Sequence, residues 1–228
     1  MNRPSAERRS FLTCVNSRVA ALAALAAGGV ALGQDKPPVR WEPARHEKDD
    51  WLEKPSVTHR LVFDATSAEG FGEALALAGN FLRVNQSDYG LQDADLSVVI
   101  VARHRATAFA FNDAMWAKHG AAISGQIEYL DPKTKQPPAI NVYNATDRGG
   151  ATPNRGTTID SLLKRGVQLA VCSTATRGLA GTIAGYGADT NAVFTELTSN
   201  LLSNSRMVPA GIVAVSRAQE RGYTLVKA

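Results

Sequence analysis

Two kinds of hydrophobic pattern alternate along the chain from residue 59 onward: short apolar runs, and apolar residues at helical spacing. The first run, 61–63, predicts a strand. A helix is predicted to follow it, with Thr66 and Glu69 placed as in a capping box. The apolar face of that helix is formed by Phe71, Leu75, Ala78 and Leu82.

The segment LSVVIVA, residues 96–102, is apolar almost without interruption. A run of this kind is typical of a strand that is buried on both faces in a parallel sheet. The stretch ATAFAFNDAMWAKHG follows and is predicted to be a helix, with Met115 and Trp116 on its apolar side together with Phe109 or Phe111. Gly120 is the predicted stop of this helix.

Strand and helix signals return after residue 158. We predict a helix near 159–165, a buried strand at 167–171 and a helix that begins near Thr174. Apolar positions near residues 193 to 201 predict one more helix. The chain closes with a helix that begins near Pro209 and stops at Gly222, followed by YTLV as a strand.

Repeated alternation of strand and helix, with helical connections long enough for crossovers, predicts an α/β layered fold. Its sheet is expected to be mainly parallel and flanked by helices. Residues 59–228 are expected to form this single domain, which is large enough for a substantial core.

Two stretches lack this regularity. Residues 34–58 are charged and punctuated by proline, with Trp41 and Trp51 as their large apolar side chains. We predict an extended arm that packs locally. Residues 126–158 are rich in proline, glycine, asparagine and threonine and predict an irregular insertion, either a functional flap or an excursion on the surface.

The chain opens with a charged segment, a short apolar stretch and small residues, which is the order of a signal peptide. Arg8 and Arg9 precede Phe11 and Leu12 as in a twin-arginine signal, which exports folded cargo. We predict cleavage after residue 33 and a periplasmic location. The alternative is an uncleaved membrane anchor, although the apolar stretch is short for a spanning helix.

Most of the positive charge belongs to this leader. The whole chain has a formal net charge of +4, and residues 1–33 hold four arginines and one glutamate, so the exported chain retains +1. Nucleic-acid binding needs a clustered cationic face. The sequence therefore predicts no nucleic-acid partner.

Cys172 is the one cysteine that remains after cleavage, because Cys14 leaves with the signal. A structural disulfide within the exported chain is thereby excluded. An unpaired thiol in an oxidising compartment is open to oxidation, which favours a reactive role. The alternative is that Cys172 packs in the core as a small hydrophobic residue, as many free cysteines do.

Cys172 also stands where the strand 167–171 gives way to a helix. Ligand sites in parallel sheets lie at the carboxyl ends of the strands. The first turn of a helix stabilises a thiolate, and Arg177 is close enough in sequence to add positive charge. His104 follows another strand and is a speculative base on the same rim, with a solvent-facing loop position as its alternative.

No cofactor or metal is expected. The remaining histidines show no ligand-like pairing, and a single cysteine does not supply a thiolate-rich zinc site. The glycines of GLAGTIAGYG follow the strand within or after a helix. They do not form a phosphate-binding turn before the helix, and close helix packing explains them better.

The segment GVQLAVCSTATRGLAG, residues 166–181, resembles the conserved-cysteine segment of the DsrE/DsrF-like sulfur-relay family. The closing VPAGIVAVSRAQERGYTLVK and the opening LVFDATSAEGFGEALALAGNFL are similar to the same family. The resemblance runs from about 59 to 228 and is interrupted by 126–158. An export signal and this insertion depart from the family, and the insertion is expected to cap the thiol or to replace an oligomer contact.

The resemblance implies a flavodoxin-like α/β domain that assembles into homo- or hetero-oligomers. It implies that Cys172 is a sulfur-accepting nucleophile that carries sulfur as a persulfide between partner proteins, with Arg177 as a stabiliser of the anionic sulfur. The leading hypothesis is thus a periplasmic sulfur carrier or sulfurtransferase with a sulfur donor or acceptor protein as partner. The alternatives are a non-enzymatic binding or scaffold protein and, below it, a redox sensor acting through a sulfenic acid.

Overall fold

The structure, a computed structural model, describes residues 41–185 and 189–228. The predicted export signal, residues 1–33, lies outside the described residues. Residues 43–228 form one compact unit. Its strands are β1 (His59–Ala65), β2 (Leu96–Ala102), β3 (Gln168–Cys172), β4 (Ser205–Val208) and β5 (Thr224–Lys227). Its α-helices are α1 (Ala68–Tyr89), α2 (Asp113–Ile127), α3 (Ile159–Lys164), α4 (Ser173–Ala184), α5 (Thr190–Ser199) and α6 (Gly211–Gln219).

All five strands run parallel, in the order β4-β3-β2-β1-β5. The register aligns their carboxyl ends, since Ala65 pairs with Ala102, and Cys172 pairs with Val208. Helices cover both faces of the sheet. The predicted α/β layered fold is therefore confirmed.

The two faces of the sheet pack against different helices. One face meets α1 to α5, and the other meets α6 and a short 3-10 helix, Glu47–Leu52. All seven residues of β2 are buried, and burying each valine or isoleucine side chain contributes about 1.5 to 3 kcal/mol. The chain leaves β3 toward the first face and β4 toward the second, so a crevice opens between the ends of these neighbouring strands. Ligands bind at such reversals in parallel sheets.

The beginnings of α1 and α2 differ from the prediction. Ser67, one residue beyond the predicted cap Thr66, is the N-cap of α1, and its hydroxyl accepts a hydrogen bond from the Gly70 N–H at 3.0 Å. Before α2, the segment His104–Ala110 is a separate 3-10 helix. Asn112 then caps α2 by accepting a hydrogen bond from the Met115 N–H.

Gly120 does not stop α2, which continues to Ile127. The reason for a glycine at this position is close packing, because a Cβ there would lie 2.1 Å from the carbonyl oxygen of Pro138. Glycine is therefore required at position 120 by contact with Pro138, which is distant in sequence, and not by the end of a helix.

The N-terminal arm packs locally through Trp51, as predicted, and through Leu52, which was not predicted. Leu52 is its fully buried residue, whereas Trp41 is exposed. The hydroxyl of Tyr223 donates a hydrogen bond to the Leu52 carbonyl oxygen at 2.9 Å. The short 3-10 helix of the arm thus completes the second face of the sheet beside α6.

The insertion 126–158 is packed into the core. Tyr143 is fully buried, and its ring lies 4.8 Å from that of Phe109 and 5.8 Å from that of Phe71. Asn141 is also fully buried, and its amide donates hydrogen bonds to the carbonyl oxygens of Phe109 and Phe111. Burial also raises the pKa of Tyr129 in this segment to about 12. The insertion therefore fills the space between α1 and α2.

A buried ion pair joins the two halves of the insertion. The Arg148 guanidinium donates to the Asp131 carboxylate at 2.7 Å, and both side chains are nine-tenths buried. Burial alone would raise the pKa of Asp131, but hydrogen bonds from the Lys133 N–H, Arg148 and the Thr134 N–H outweigh it and lower that pKa. The pair should therefore stabilise the folded chain only while Asp131 is ionised.

We expect Arg148→Met to lower the free energy of unfolding by about 3 kcal/mol at pH 7, since it leaves Asp131 buried and unpaired. Because the pKa of Asp131 is lowered in the folded state, the difference from wild type should be full above its ordinary value of 3.8. It should shrink as the pH falls through the folded value. Urea unfolding between pH 7 and pH 3 measures this. Lys133→Gln, in the exposed pair with Asp147, is the control and should cost at most about 1 kcal/mol.

Candidate functional site

Cys172 is both the last residue of β3 and the N-cap of α4. Its Sγ accepts a hydrogen bond from the Ala175 N–H, with 3.5 Å between the two heavy atoms. The Thr176 hydroxyl donates to the Cys172 carbonyl oxygen at 3.0 Å and so ties the first turn of α4 to the strand end. The thiol thus sits at the positive end of a helix, as predicted, but Cys172 is only 6% exposed.

Arg103 follows β2 and lies beside this thiol. Its guanidinium makes a two-pronged salt bridge to Asp64 of β1, with Nε–Oδ1 at 2.6 Å and Nη2–Oδ2 at 2.8 Å. The hydrogen bond to Asp64 raises the pKa of Arg103, and the negative charge of a Cys172 thiolate adds to this effect. The register also brings Arg103 next to Cys172, because Ala102 of β2 pairs with Val171 of β3.

The start of α6 closes the other side of the site. A Cβ at Gly211 would lie 2.6 Å from the Cβ of Arg103, so glycine is needed for the helix to approach this closely. The Thr174 hydroxyl donates to the Pro209 carbonyl oxygen at 3.2 Å and bridges α4 to the segment before α6. The thiol is therefore held in the crevice between β3 and β4.

His104 belongs to the same rim. Its Nε2 lies 2.5 Å from Nη1 of Arg103, and because a guanidinium can only donate, Nε2 is the acceptor. His104 is exposed and has a left-handed backbone, with φ of 53°. It is joined to the site through Arg103.

Arg177 is directed elsewhere. Its guanidinium donates to Asn191 at 3.2 Å and lies 4.2 Å from the ring centre of Phe194, both on α5. Five residues along a helix correspond to a rotation that leaves the side chains about 140° apart, so Arg177 and Cys172 do not share a helix face. The cation beside the thiol in the structure is Arg103.

The site residues that we did not predict are Arg103 and Asp64. Both stand at carboxyl ends of buried strands, one as the residue before His104 and the other as the charged residue within LVFDA. A charge at the end of an apolar strand was the signal available in the sequence. We call Asp64, Arg103, His104 and Cys172 the rim site.

The rim site can hold an anionic sulfur. The Ala175 N–H and the amino end of α4 face Sγ, and Arg103 stands at the end of the neighbouring strand. Asp64 offsets much of that cation's charge, so its main effect is to fix the position of the guanidinium. The arrangement is suited to a nucleophilic thiolate in a small, enclosed site.

Two clefts are candidates for a ligand site. The larger, of about 890 Å³, lies between α1 and residues 153–165, toward the amino end of β3 and away from Cys172. A smaller one, of about 570 Å³, adjoins the rim site and includes His104 and Ala175 in its lining. Because parallel sheets bind ligands at their carboxyl ends, the smaller cleft is the relevant one.

Within residues 41–185 and 189–228, no three side chains of His, Cys, Asp or Glu are grouped so that they could hold a metal ion. No helix in these ranges is both long and apolar enough to cross a membrane.

Comparisons with known proteins assign no activity to the chain. No family model matches it, and no curated protein matches it. It is similar to a solved structure titled as a protein of unknown function from Methanobacterium thermoautotrophicum, with 16% identity and a TM-score of 0.39. That similarity covers 75% of this chain and 100% of the other.

Proposed function

We propose that this chain is an exported sulfur-handling protein that accepts sulfane sulfur on Cys172 and holds it as a persulfide. The observation that carries the proposal is the position of the Cys172 thiol. It caps α4 at the strand crevice, accepts the Ala175 N–H and lies next to Arg103 at the end of the neighbouring strand. These surroundings favour a thiolate and its persulfide anion.

The chemical step is a transfer of one sulfur atom. The Cys172 thiolate attacks the terminal sulfur of a donor persulfide, R–S–SH, and a new S–S bond forms. The S–S bond of the donor breaks, and R–S⁻ leaves with the bonding electron pair, which yields Cys–S–SH. With thiosulfate as donor the leaving group is sulfite, and the product is Cys–S–S⁻.

Each residue of the rim site has a distinct role in this proposal. The Ala175 N–H stabilises negative charge on sulfur, and Arg103 offers a cation whose position Asp64 fixes. His104 contacts Arg103 and borders the smaller cleft, where a ligand would lie. Because Cys172 is 6% exposed, a slender donor group, and not a broad surface, must reach it.

The cellular setting is part of the proposal. The twin-arginine-type segment supports export of the folded chain to the periplasm, with membrane anchoring if the signal is retained. The resemblance to DsrE/DsrF-like proteins supports a homo-oligomer and a donor or acceptor protein as partner. The strands β4 and β5 end the sheet, and each is paired on one side only, which supports association through an edge.

A second candidate function is a non-enzymatic binding or scaffold protein. The observation that favours it is the low exposure of Cys172, which is also expected of a thiol that only fills space. A scaffold keeps its function in Cys172→Ser, whereas a sulfur carrier loses it.

We expect the folded protein, after exposure to thiosulfate or polysulfide and removal of the excess, to release thiocyanate when treated with cyanide. About one sulfur per chain is expected, because one thiol is present to carry it. Cys172→Ser should release only the background amount. Equal release from this variant would show that the sulfur is not held on Cys172.

A further inference from the structure

The cleft beside the rim site, which we call the rim cleft, lies between three elements. These are the 3-10 helix His104–Ala110, the end of α2, and the first half of α4. Its volume of about 570 Å³ falls within the range of small-molecule sites. It is distinct from the space that Cys172 itself occupies, since the thiol is not part of its lining.

The lining of the rim cleft includes one arginine and one glutamate. Arg105 and Glu128 form an ion pair at 2.7 Å, with side chains 49% and 68% exposed. An exposed pair of this kind contributes at most about 1 kcal/mol. Either partner can therefore exchange the other for a ligand group of opposite charge at little cost.

Two small residues of α4 form another part of this cleft. Ala175 and Gly178 of α4 line it, and a Cβ at Gly178 would meet no atom within 4 Å. A ligand can therefore approach the helix backbone closely. Thr107 and Gln126 add polar side chains to the lining, so the cleft suits a polar ligand with a narrow body.

Two lining residues have backbone conformations that non-glycine residues rarely adopt. His104 and Glu128 both have φ of 53°, in the left-handed region. At Glu128 this conformation is the left-handed C-cap that ends α2, with its N–H bonded to the Ser124 carbonyl oxygen. At His104 it stands at the first residue of a 3-10 helix, and backbone strain of this kind is concentrated at functional sites. Both residues line the cleft, His104 from the 3-10 helix and Glu128 from the end of α2.

The rim cleft is connected to the thiol by two residues. Ala175 lines the cleft and also donates its N–H to Sγ of Cys172 at 3.5 Å. His104 lines the cleft and also accepts from Arg103. The lining of the rim cleft and the sulfur are therefore one residue apart, through Ala175.

We propose that the rim cleft binds the amino-acid end of a low-molecular-weight zwitterionic thiol, and that this compound, as its persulfide, is the sulfur donor to Cys172. Its carboxylate pairs with Arg105 and its ammonium with Glu128. This inference rests on the proposed function and adds the substrate class. A purely anionic donor such as thiosulfate lacks the ammonium group that would pair with Glu128, and a protein surface would not enter a cleft of this size.

The transfer then follows the balanced step above. The thiolate of Cys172 takes the terminal sulfur of R–S–SH, the donor S–S bond breaks, and R–S⁻ departs as the zwitterionic thiolate. Cysteine and glutathione share the required α-ammonium and α-carboxylate. They differ in the length of the body between these groups and the sulfur.

The test uses S-methyl-L-cysteine and S-methylglutathione, in which a methyl group stands in for the terminal sulfur and no reaction occurs. We expect at least one of these two compounds to bind the full chain in calorimetry. The compound that binds more tightly shows how far the donor's sulfur lies from its amino-acid group. Arg105→Gln and Glu128→Gln should each weaken binding about tenfold, the effect of losing one charged hydrogen bond. Lys133→Gln, in the exposed pair with Asp147, is the matched control and should leave the affinity unchanged.

Three results separate this inference from the proposed function. If neither methylated thiol binds while Cys172 still accepts sulfur from thiosulfate, the zwitterionic donor is wrong and the sulfur carrier stands. If a methylated thiol binds and both charge variants weaken it, but Cys172 accepts no sulfur from any donor, the cleft assignment stands and the carrier is wrong. Binding that neither charge variant changes would also overturn the inference.

Discussion

Arg103→Leu is expected to lower the free energy of unfolding by about 3 kcal/mol and to slow sulfur loading on Cys172. The first effect follows from Asp64, whose side chain is only 10% exposed and accepts two hydrogen bonds from Arg103. Without Arg103, this carboxylate stays buried and unpaired. The second effect follows because the cation beside the thiol is lost.

Urea unfolding measures the loss of stability. The rate at which Cys172 gains sulfur that cyanide then releases as thiocyanate measures the effect on loading. The double variant Asp64→Leu, Arg103→Leu should recover most of the stability, since both charges are then removed, but not the loading rate. Arg45→Leu, which breaks an exposed pair with Glu53, is the control and should cost at most about 1 kcal/mol. A loading rate unchanged in Arg103→Leu would remove Arg103 from the rim site.

Asn141→Leu is expected to cost about 4 kcal/mol of unfolding free energy. The fully buried amide of Asn141 donates to Phe109 and Phe111 and accepts from the Tyr143 N–H. Leucine leaves two carbonyls and one N–H without partners, and each costs about 1 to 3 kcal/mol. Urea unfolding provides the measurement.

Gln86→Leu, which replaces an exposed amide side chain on α1, is the control for Asn141→Leu and should change the unfolding free energy by at most about 0.5 kcal/mol. If Asn141→Leu were equally neutral, the insertion 126–158 would not be a packed part of the core. A neutral result together with faster labelling of Cys172 would restore the interpretation of the insertion as a flap over the thiol.

The buried strands were predictable because runs of adjacent apolar residues indicate their burial. The run at 96–102 and the strand before Cys172 are apolar almost throughout, and the structure buries nearly all of these positions. Strand β4, Ser205–Val208, was missed because it lies at the sheet edge and buries only Val208. A short strand with three partly or fully exposed residues carries no clear periodic signal.

The errors in the insertion and at Gly120 have a common physical cause. Asn141 looks like a loop residue in sequence, yet its hydrogen bonds to distant carbonyls allow its burial. Gly120 looks like a helix stop, yet the Pro138 carbonyl explains it. Both contacts join segments that the sequence separates, and no local pattern encodes them.

The position of Cys172 was predictable, but its neighbours were not. A cysteine between an apolar strand and a helix start predicts a helix-capping thiol, which the structure contains. The choice of Arg177 as its cation relied on nearness in sequence. Arg103 and Asp64 reach the thiol through the pairing of β1, β2 and β3, which depends on the register of the whole sheet.

The most direct test of the account is the intact mass of the folded protein, prepared without residues 1–33, after exposure to a persulfide or thiosulfate donor, measured beside Cys172→Ser. The account predicts a gain of about 32 Da, one sulfur atom, on wild type alone, and its loss on treatment with a reductant. An unchanged mass, with Cys172 reacting with iodoacetamide only after denaturation, would contradict the account and identify Cys172 as a packing residue.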